Sequence, residues 1–218
     1  EQGMRQIEKL NGRFAQLVVK AAEKNIKNEF GFFLLSYYPV EVIDNETRAR
    51  LISLLPAEMQ QRPAIKQIQE AIGQAAKTAE GQTLSDFSQP GLDGEEVSIM
   101  SEVRKNKITV IDFWASWCGP CRQEMPFMLS FYKEFKDKGL GIVGISLDED
   151  GDAWQSATKQ LGIPWPQMSD LKGWENEAAR MFNVTSIPHT IVVDQQGRIL
   201  KHGLRGNALK DFVAEQLK

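Results

Sequence analysis

The sequence predicts an α/β three-layer sandwich, with parallel strands in the middle and an antiparallel edge, preceded by a small all-helical region. Three observations carry this. Residues 1–80 hold apolar side chains at helical steps and no strand-like alternation. After Gly81, short β-branched runs alternate with helical patterns, as in sheets built from strand–helix–strand units. A hairpin pattern and a last helix then close the chain. All five Trp, both Cys and both His fall after residue 81, so the change of texture there divides the chain into 1–80 and 81–218.

In the first region, Ile7, Leu10, Phe14, Leu17 and Ala21 recur at steps of three and four and predict an apolar stripe used for packing. Asn28 and Glu29 open a second helix carrying Phe30, Phe33, Leu34 and Tyr37. Asp44 precedes a third, with Arg48, Leu51, Ile52 and Leu55 ahead of Pro56. Pro63 suits the first turn of a fourth, where its missing N–H costs nothing, and Ile65, Ile68 and Ile72 line one face. The region reads either as an appendage docked on the second region or as a partner or dimer surface.

In the second region, residues 83–88 read as a short strand, and Asp93-Gly94 is a tight-turn signal before Val97 and Ile99. Residues 108–115 are a mostly apolar, β-branched run, as in a strand buried on both faces. A helix is expected over 122–135, a second buried strand over 140–147, and helices over 151–161 and 174–182. Residues 191–194 and 198–202 flank Gln195-Gln196-Gly197 as a hairpin, and Asn207 is expected to cap the final helix.

Composition narrows the function. Apolar residues make up 42% and charged residues 25% of 218, which is ordinary for a folded domain and excludes disorder or a collagen-like chain. No uncharged apolar run approaches the ~20 residues of a membrane span. A net charge of −3 without a Lys/Arg block argues against nucleic acid as a partner. Met4 sits inside a charged helical stretch, so a chain opening at Glu1 reads as a mature form or a fragment, compatible with a removed targeting segment.

The two cysteines are Cys118 and Cys121, in Trp114-Ala115-Ser116-Trp117-Cys118-Gly119-Pro120-Cys121, where a central strand hands over to a helix. Two cysteines three apart in a first helical turn can close a small disulfide ring. The first lies where unpaired N–H groups and the helix dipole favour an anion, which lowers its pKa. The second, about a turn in, is expected to be more buried and to stay protonated until needed. Gly119 permits close approach by another chain, and Pro120 stiffens the ring. Zinc would want four ligands, and only His189 and His202 are left to join the pair, at spacings unlike a zinc module.

Residues 108–126, ITVIDFWASWCGPCRQEMP, resemble the active-site segment of the thioredoxin superfamily. Cys-x-x-Cys followed by Arg-Gln-Glu-Met-Pro is similar to its extracytoplasmic TlpA/ResA-like branch. The resemblance covers residues 82–218 and includes the Asp-Gly hairpin, the inserted helix after Leu147, Ser-Ile-Pro-His-Thr and Asp-x-x-Gly. Residues 1–80 resemble, more weakly, the front part of longer relatives.

The resemblance implies a thioredoxin-like fold with an N-terminal β-hairpin and an inserted helix. It implies a thiol-disulfide oxidoreductase acting on disulfides of substrate proteins, in the periplasm or cell envelope. Electrons would come from a membrane or soluble thiol-disulfide donor, and no cofactor is required. Asp112, six residues before Cys118, and Glu124, three after Cys121, match carboxylates implicated in the family. A carboxylate held in apolar surroundings has a raised pKa and can act as a base for a buried thiol. Asp112 is the preferred proton carrier and Glu124 a modulator. Ile187-Pro188 resembles the family's cis-proline loop, and Trp117, Gly119, Pro120 and Ile187 form an apolar rim able to receive a substrate backbone. Gly-Pro between the cysteines resembles reducing members. The competing readings are a peroxiredoxin-like peroxidase, against which Ala115 stands where a Thr is wanted, and a non-catalytic binding module carried by residues 1–80.

Overall fold

A computed structural model describes residues 2–218. Two compact units divide between Gln74 and Ala75. The first contains α1 (Gln2–Lys24), α2 (Glu29–Tyr37), α3 (Asn45–Leu54), α4 (Ala57–Gln60) and most of α5 (Pro63–Lys77). Helix starts follow the capping chemistry. Asn28 accepts from the Phe30 and Gly31 amides, and Asp44 accepts from the Thr47 amide. Val18, Ala22, Leu34, Leu35, Leu51, Ile52, Met59 and Ile65 make the core. Buried Arg48 sends its guanidinium to the carbonyls of Leu35, Tyr38 and Ile43, satisfying acceptors at the end of α2 and in the loop that leads to α3.

The apolar stripe of α1 is not the core stripe. Ile7, Leu10, Phe14 and Leu17 are exposed, whereas Val18 and Ala22 are the buried positions. The described residues of α1 that join the core therefore lie in its C-terminal half. Phe30, Phe33 and Tyr37 are likewise exposed on α2, with Leu34 and Leu35 turned inward.

In the second unit, β1 (Ser88–Pro90) and β2 (Glu96–Ser98) form a hairpin around Asp93-Gly94, where Gly94 takes φ +83°. The first strand is shorter and later than expected, since Thr83 makes only an isolated bridge, to Arg198. Next come α6 (Ile99–Val103), β3 (Ile108–Trp114), α7 (Gly119–Phe135), β4 (Leu140–Ser146), α8 (Gly151–Leu161) and β5 (Gln167–Met168). After them follow α9 (Glu177–Met181), β6 (His189–Asp194), β7 (Ile199–His202) and α10 (Gly206–Gln216).

Among the described residues the main sheet has the order β5-β4-β3-β6-β7. Its first three strands are parallel, and β6 and β7 are antiparallel to their neighbours. Every residue of β3 and β4 is buried, which explains their mostly apolar runs. This is the thioredoxin-like α/β arrangement.

Two local expectations are corrected. Residues 174–182 hold a 3-10 turn (Gly173–Glu175) and then the five-residue α9, because Asn176 interrupts the helix and caps the second piece through the Ala179 amide. Asn207 lies inside α10 rather than capping it. Arg205 holds the cap position and supplies no side-chain cap hydrogen bond.

Candidate active site

The strand β3 ends at Trp114, and four residues later the chain turns into α7. Cys118 takes the N-cap position of that helix, and its Sγ accepts the Cys121 amide hydrogen at 3.2 Å. Cys118 and Cys121 are joined as a disulfide with their Cα atoms 5.3 Å apart. The expected contrast in burial is absent: Cys118 is 4% exposed and Cys121 3%. Closing the ring puts each sulfur against the other and covers both.

Around the ring, Trp117, Gly119 and Pro120 are exposed and Ile187 is half-buried. The Ile187–Pro188 bond is cis. β3 and β6 pair antiparallel with Phe113 opposite His189, so the next step of that register sets Pro188 level with Trp114. The cis-proline loop thus lies at the end of the sheet from which the Cys118 segment departs.

Asp112 is 5% exposed on β3. Burial pushes its carboxyl up to about 7, the Glu124 charge adds to the rise, and the Arg205 guanidinium opposes it. Glu124 on α7 is not the solvated residue that a lone helical Glu would be. Its Oε2 accepts from Arg205 Nε at 2.8 Å, and its Oε1 accepts from the Gly206 amide at 3.2 Å. It therefore caps α10 from another helix, in place of the missing side-chain cap at Arg205.

Several residues that serve the site escaped sequence reasoning. Asp148, 1% exposed after β4, accepts from the Ser116 amide at 2.9 Å, from the Ser116 hydroxyl, and from Ser146 Oγ at 2.6 Å. It fixes the segment leading into Cys118. Asp112, Gly144 and Gln167 stand level on three neighbouring strands. A Cβ at Gly144 would fall 2.2 Å from Gln167 Nε2, so only glycine lets that amide lie across β4. Gln167 Oε1 accepts the Trp114 indole N–H at 2.9 Å, and its Nε2 has no partner among the described residues. A Gly inside a strand pattern was the one available signal of close approach.

His189, the first residue of β6, is half-buried. Its ring packs edge-on to Phe113, and its Nε2 has no partner among the described residues. Burial, assisted by nearby His202, lowers its pKa to about 4, so it is neutral at pH 7. Among the described residues, no group of three His, Cys, Asp or Glu side chains is placed to hold a metal ion. No helix is long and apolar enough to cross a membrane, again among the described residues.

Comparison with known proteins places residues 79–215 in a match to the Redoxin family. The chain is 28% identical over 138 residues to the thiol-disulfide oxidoreductase ResA of Bacillus thuringiensis subsp. konkukian, covering 63% of this chain and 76% of that protein. It is 36% identical over 123 residues to the thioredoxin-like protein YneN of Bacillus subtilis, covering 55% of this chain and 68% of the relative. Among solved structures, it is similar to the thioredoxin domain of a thiol-disulfide oxidoreductase from Bacteroides vulgatus. That likeness has 31% identity and a TM-score of 0.59, and covers 64% of this chain and 99% of the other. A thiol-disulfide oxidoreductase from Bacteroides fragilis matches with 32% identity and a TM-score of 0.58, covering 62% and 98%.

Proposed function

Since the chain belongs to the Redoxin family, as a TlpA/ResA-like member of the thioredoxin superfamily and a thiol-disulfide oxidoreductase, we propose that it reduces disulfides of other proteins outside the cytoplasm, through Cys118 and Cys121. The observation that carries this is Cys118 at the N-cap of α7 with its sulfur on the Cys121 amide hydrogen, joined to Cys121 in a ring. In the reduced protein, that amide and the helix N-terminus favour a thiolate on Cys118.

The thiolate attacks a substrate disulfide, forms a mixed disulfide and expels one substrate thiolate. Cys121 gives its proton to Asp112, whose pKa of about 7 suits a base near neutrality. The Cys121 thiolate then attacks Cys118 Sγ, re-forms the ring and releases the second substrate thiolate, which takes up a proton. The substrate disulfide gains two electrons and the cysteine pair loses two. A thiol donor must return them. Trp117, Gly119, Pro120, Ile187 and the Pro188 loop form the surface that receives the substrate backbone. The resemblance of the Cys118 segment to the extracytoplasmic TlpA/ResA-like branch supports that setting, as does a chain whose two cysteines both lie in the ring.

Turnover of insulin disulfides by the wild type, its loss in Cys118→Ser, and accumulation of mixed disulfides by Cys121→Ser are expected. Alkylation at pH 7 should label Cys118 well ahead of Cys121 after reduction. Equal labelling, or insulin reduction that survives Cys118→Ser, would refute the assignment.

A further inference from the structure

Beside the cysteine ring lies a pocket of about 380 Å³, walled by Trp117 and Trp174 and by the loop carrying Asp148, Glu149 and Asp150. The two indoles are among the few large apolar side chains exposed in this unit, at 55% and 45%. Their ring centroids are 6.2 Å apart and tilted by 54°, so they form an open angle rather than a closed stack. Asp148 is occupied by Ser116 and Ser146, as described above. Asp150 uses Oδ1 to cap α8 through the Asp152 and Ala153 amides, and its second oxygen makes no hydrogen bond among the described residues.

Glu149 is exposed, and it makes no hydrogen bond or ion pair among the described residues. Its carboxylate lies against Gly173, where a Cβ would come within 2.4 Å of Oε1. The absence of a side chain at Gly173 leaves that carboxylate its room next to the Trp174 segment. No Lys, Arg or His lines the pocket among the described residues. The nearby cations are engaged: Arg122 Nη1 donates to the Ser116 carbonyl at 3.4 Å, and Lys172 pairs with Asp170 at 3.7 Å.

Exposed indole faces, the free carboxylate of Glu149 and the negative charges of Asp148 and Asp150, which no cation pairs among the described residues, make this hollow a receptor for a cation. A guanidinium or ammonium can lie on the ring face while the carboxylates neutralise it. We infer that this pocket selects substrate polypeptides carrying Arg or Lys close to the disulfide that Cys118 attacks. The inference rests on the reading of Cys118 as the attacking thiol and names the substrate class of that site. Trp117 directly precedes Cys118, so a side chain bound here belongs to residues flanking the substrate cysteine.

The test uses the reduced full chain and three short peptide disulfides, flanked by arginine, by alanine or by glutamate. Rates of peptide reduction are followed at low and high salt. A cation–π contact with an ion pair at an exposed site predicts about fivefold to thirtyfold faster reduction of the arginine peptide than of the alanine peptide. The glutamate peptide should be the slowest. The preference should shrink at high salt, because exposed charges are screened. In Glu149→Gln/Asp150→Asn, which keeps the cap on α8, the arginine-to-alanine ratio should fall towards one, and Trp174→Ala should lower it in part. Equal rates for the three peptides, or a ratio kept by the double variant, would overturn the inference while leaving the dithiol reading intact. Failure to reduce any of the three would overturn both.

Discussion

Glu124 on α7 accepts a hydrogen bond from the amide of Gly206, the first residue of α10, at 3.2 Å. One carboxylate thus ends an otherwise uncapped helix and also contributes to the electrostatics of Asp112. Its two effects separate by substitution. Glu124→Gln keeps an acceptor for Gly206 and removes the charge, whereas Glu124→Ala removes both. The alanine variant should lose about 1 kcal/mol more in chemical unfolding than the glutamine variant. In both, Asp112 should titrate lower, because a neighbouring negative charge that raises its pKa is gone. Carboxyl NMR titration reads this, and an unmoved Asp112 would refute the coupling.

Asp112 is expected to weaken the fold as pH rises. Its folded pKa of about 7 lies above the ordinary 3.8. Between those values the folded chain keeps a proton that the unfolded chain has released, so stability falls with increasing pH. The penalty is absent below pH 4 and complete above pH 7, with an upper limit of ~4 kcal/mol. Asp112→Asn in the disulfide form should match wild type near pH 4 and be more stable at pH 8. A constant difference across that range would contradict the raised pKa.

Turnover should respond in the opposite sense. Asp112→Asn is expected to slow release of the mixed disulfide near neutral pH by about tenfold or more, and less at pH 9 where Cys121 ionises unaided. Glu124→Gln should lower turnover less, and the double variant should be slower than either. Wild-type rates in all three variants from pH 6 to 9 would remove both carboxylates from the proton path.

Gly144→Ala is a test of close approach. A methyl group 2.2 Å from Gln167 Nε2 must displace the amide that holds the Trp114 indole. Loss of about 1–3 kcal/mol in stability is expected, the usual cost of overpacking a core. Gln167→Ala in the same chain should recover part of it. Independent, additive losses would mean that the two side chains do not compete for one space.

A fragment of residues 75–218 is expected to fold alone and to reduce insulin. The segment that follows α5 belongs with it: the Gly81 amide donates to the Ile199 carbonyl at 2.7 Å, and His202 Nε2 lies 2.7 Å from the Thr78 carbonyl. A fragment starting at 82 should therefore be less stable than one starting at 75. Failure of the longer fragment to show cooperative unfolding would make the helical region part of its core.

Local chemistry was legible in the sequence wherever it is short-ranged. The buried strands β3 and β4 could be read from their mostly apolar runs, the caps at Asn28 and Asp44 from single polar residues, and the turn at Asp93-Gly94 from its dipeptide. The position of Cys118 at a helix start followed from Gly-Pro and the strand before it. Tertiary structure alone decided which side of an amphipathic helix is covered. The stripe of Ile7, Leu10, Phe14 and Leu17 has the helical period of a core face and is exposed, since periodicity locates a face and only neighbouring elements bury it. Asn207 has the right chemistry for a cap, yet the acceptor for α10 comes from Glu124, more than eighty positions earlier. Asp148, Gln167 and Trp174 reach the cysteine segment in the same way, from strands and turns far along the chain. The physical reason is common to all of them: hydrogen bonds and charges act over a few ångströms in space, and the distance along the chain between partners is set by the crossovers of the sheet.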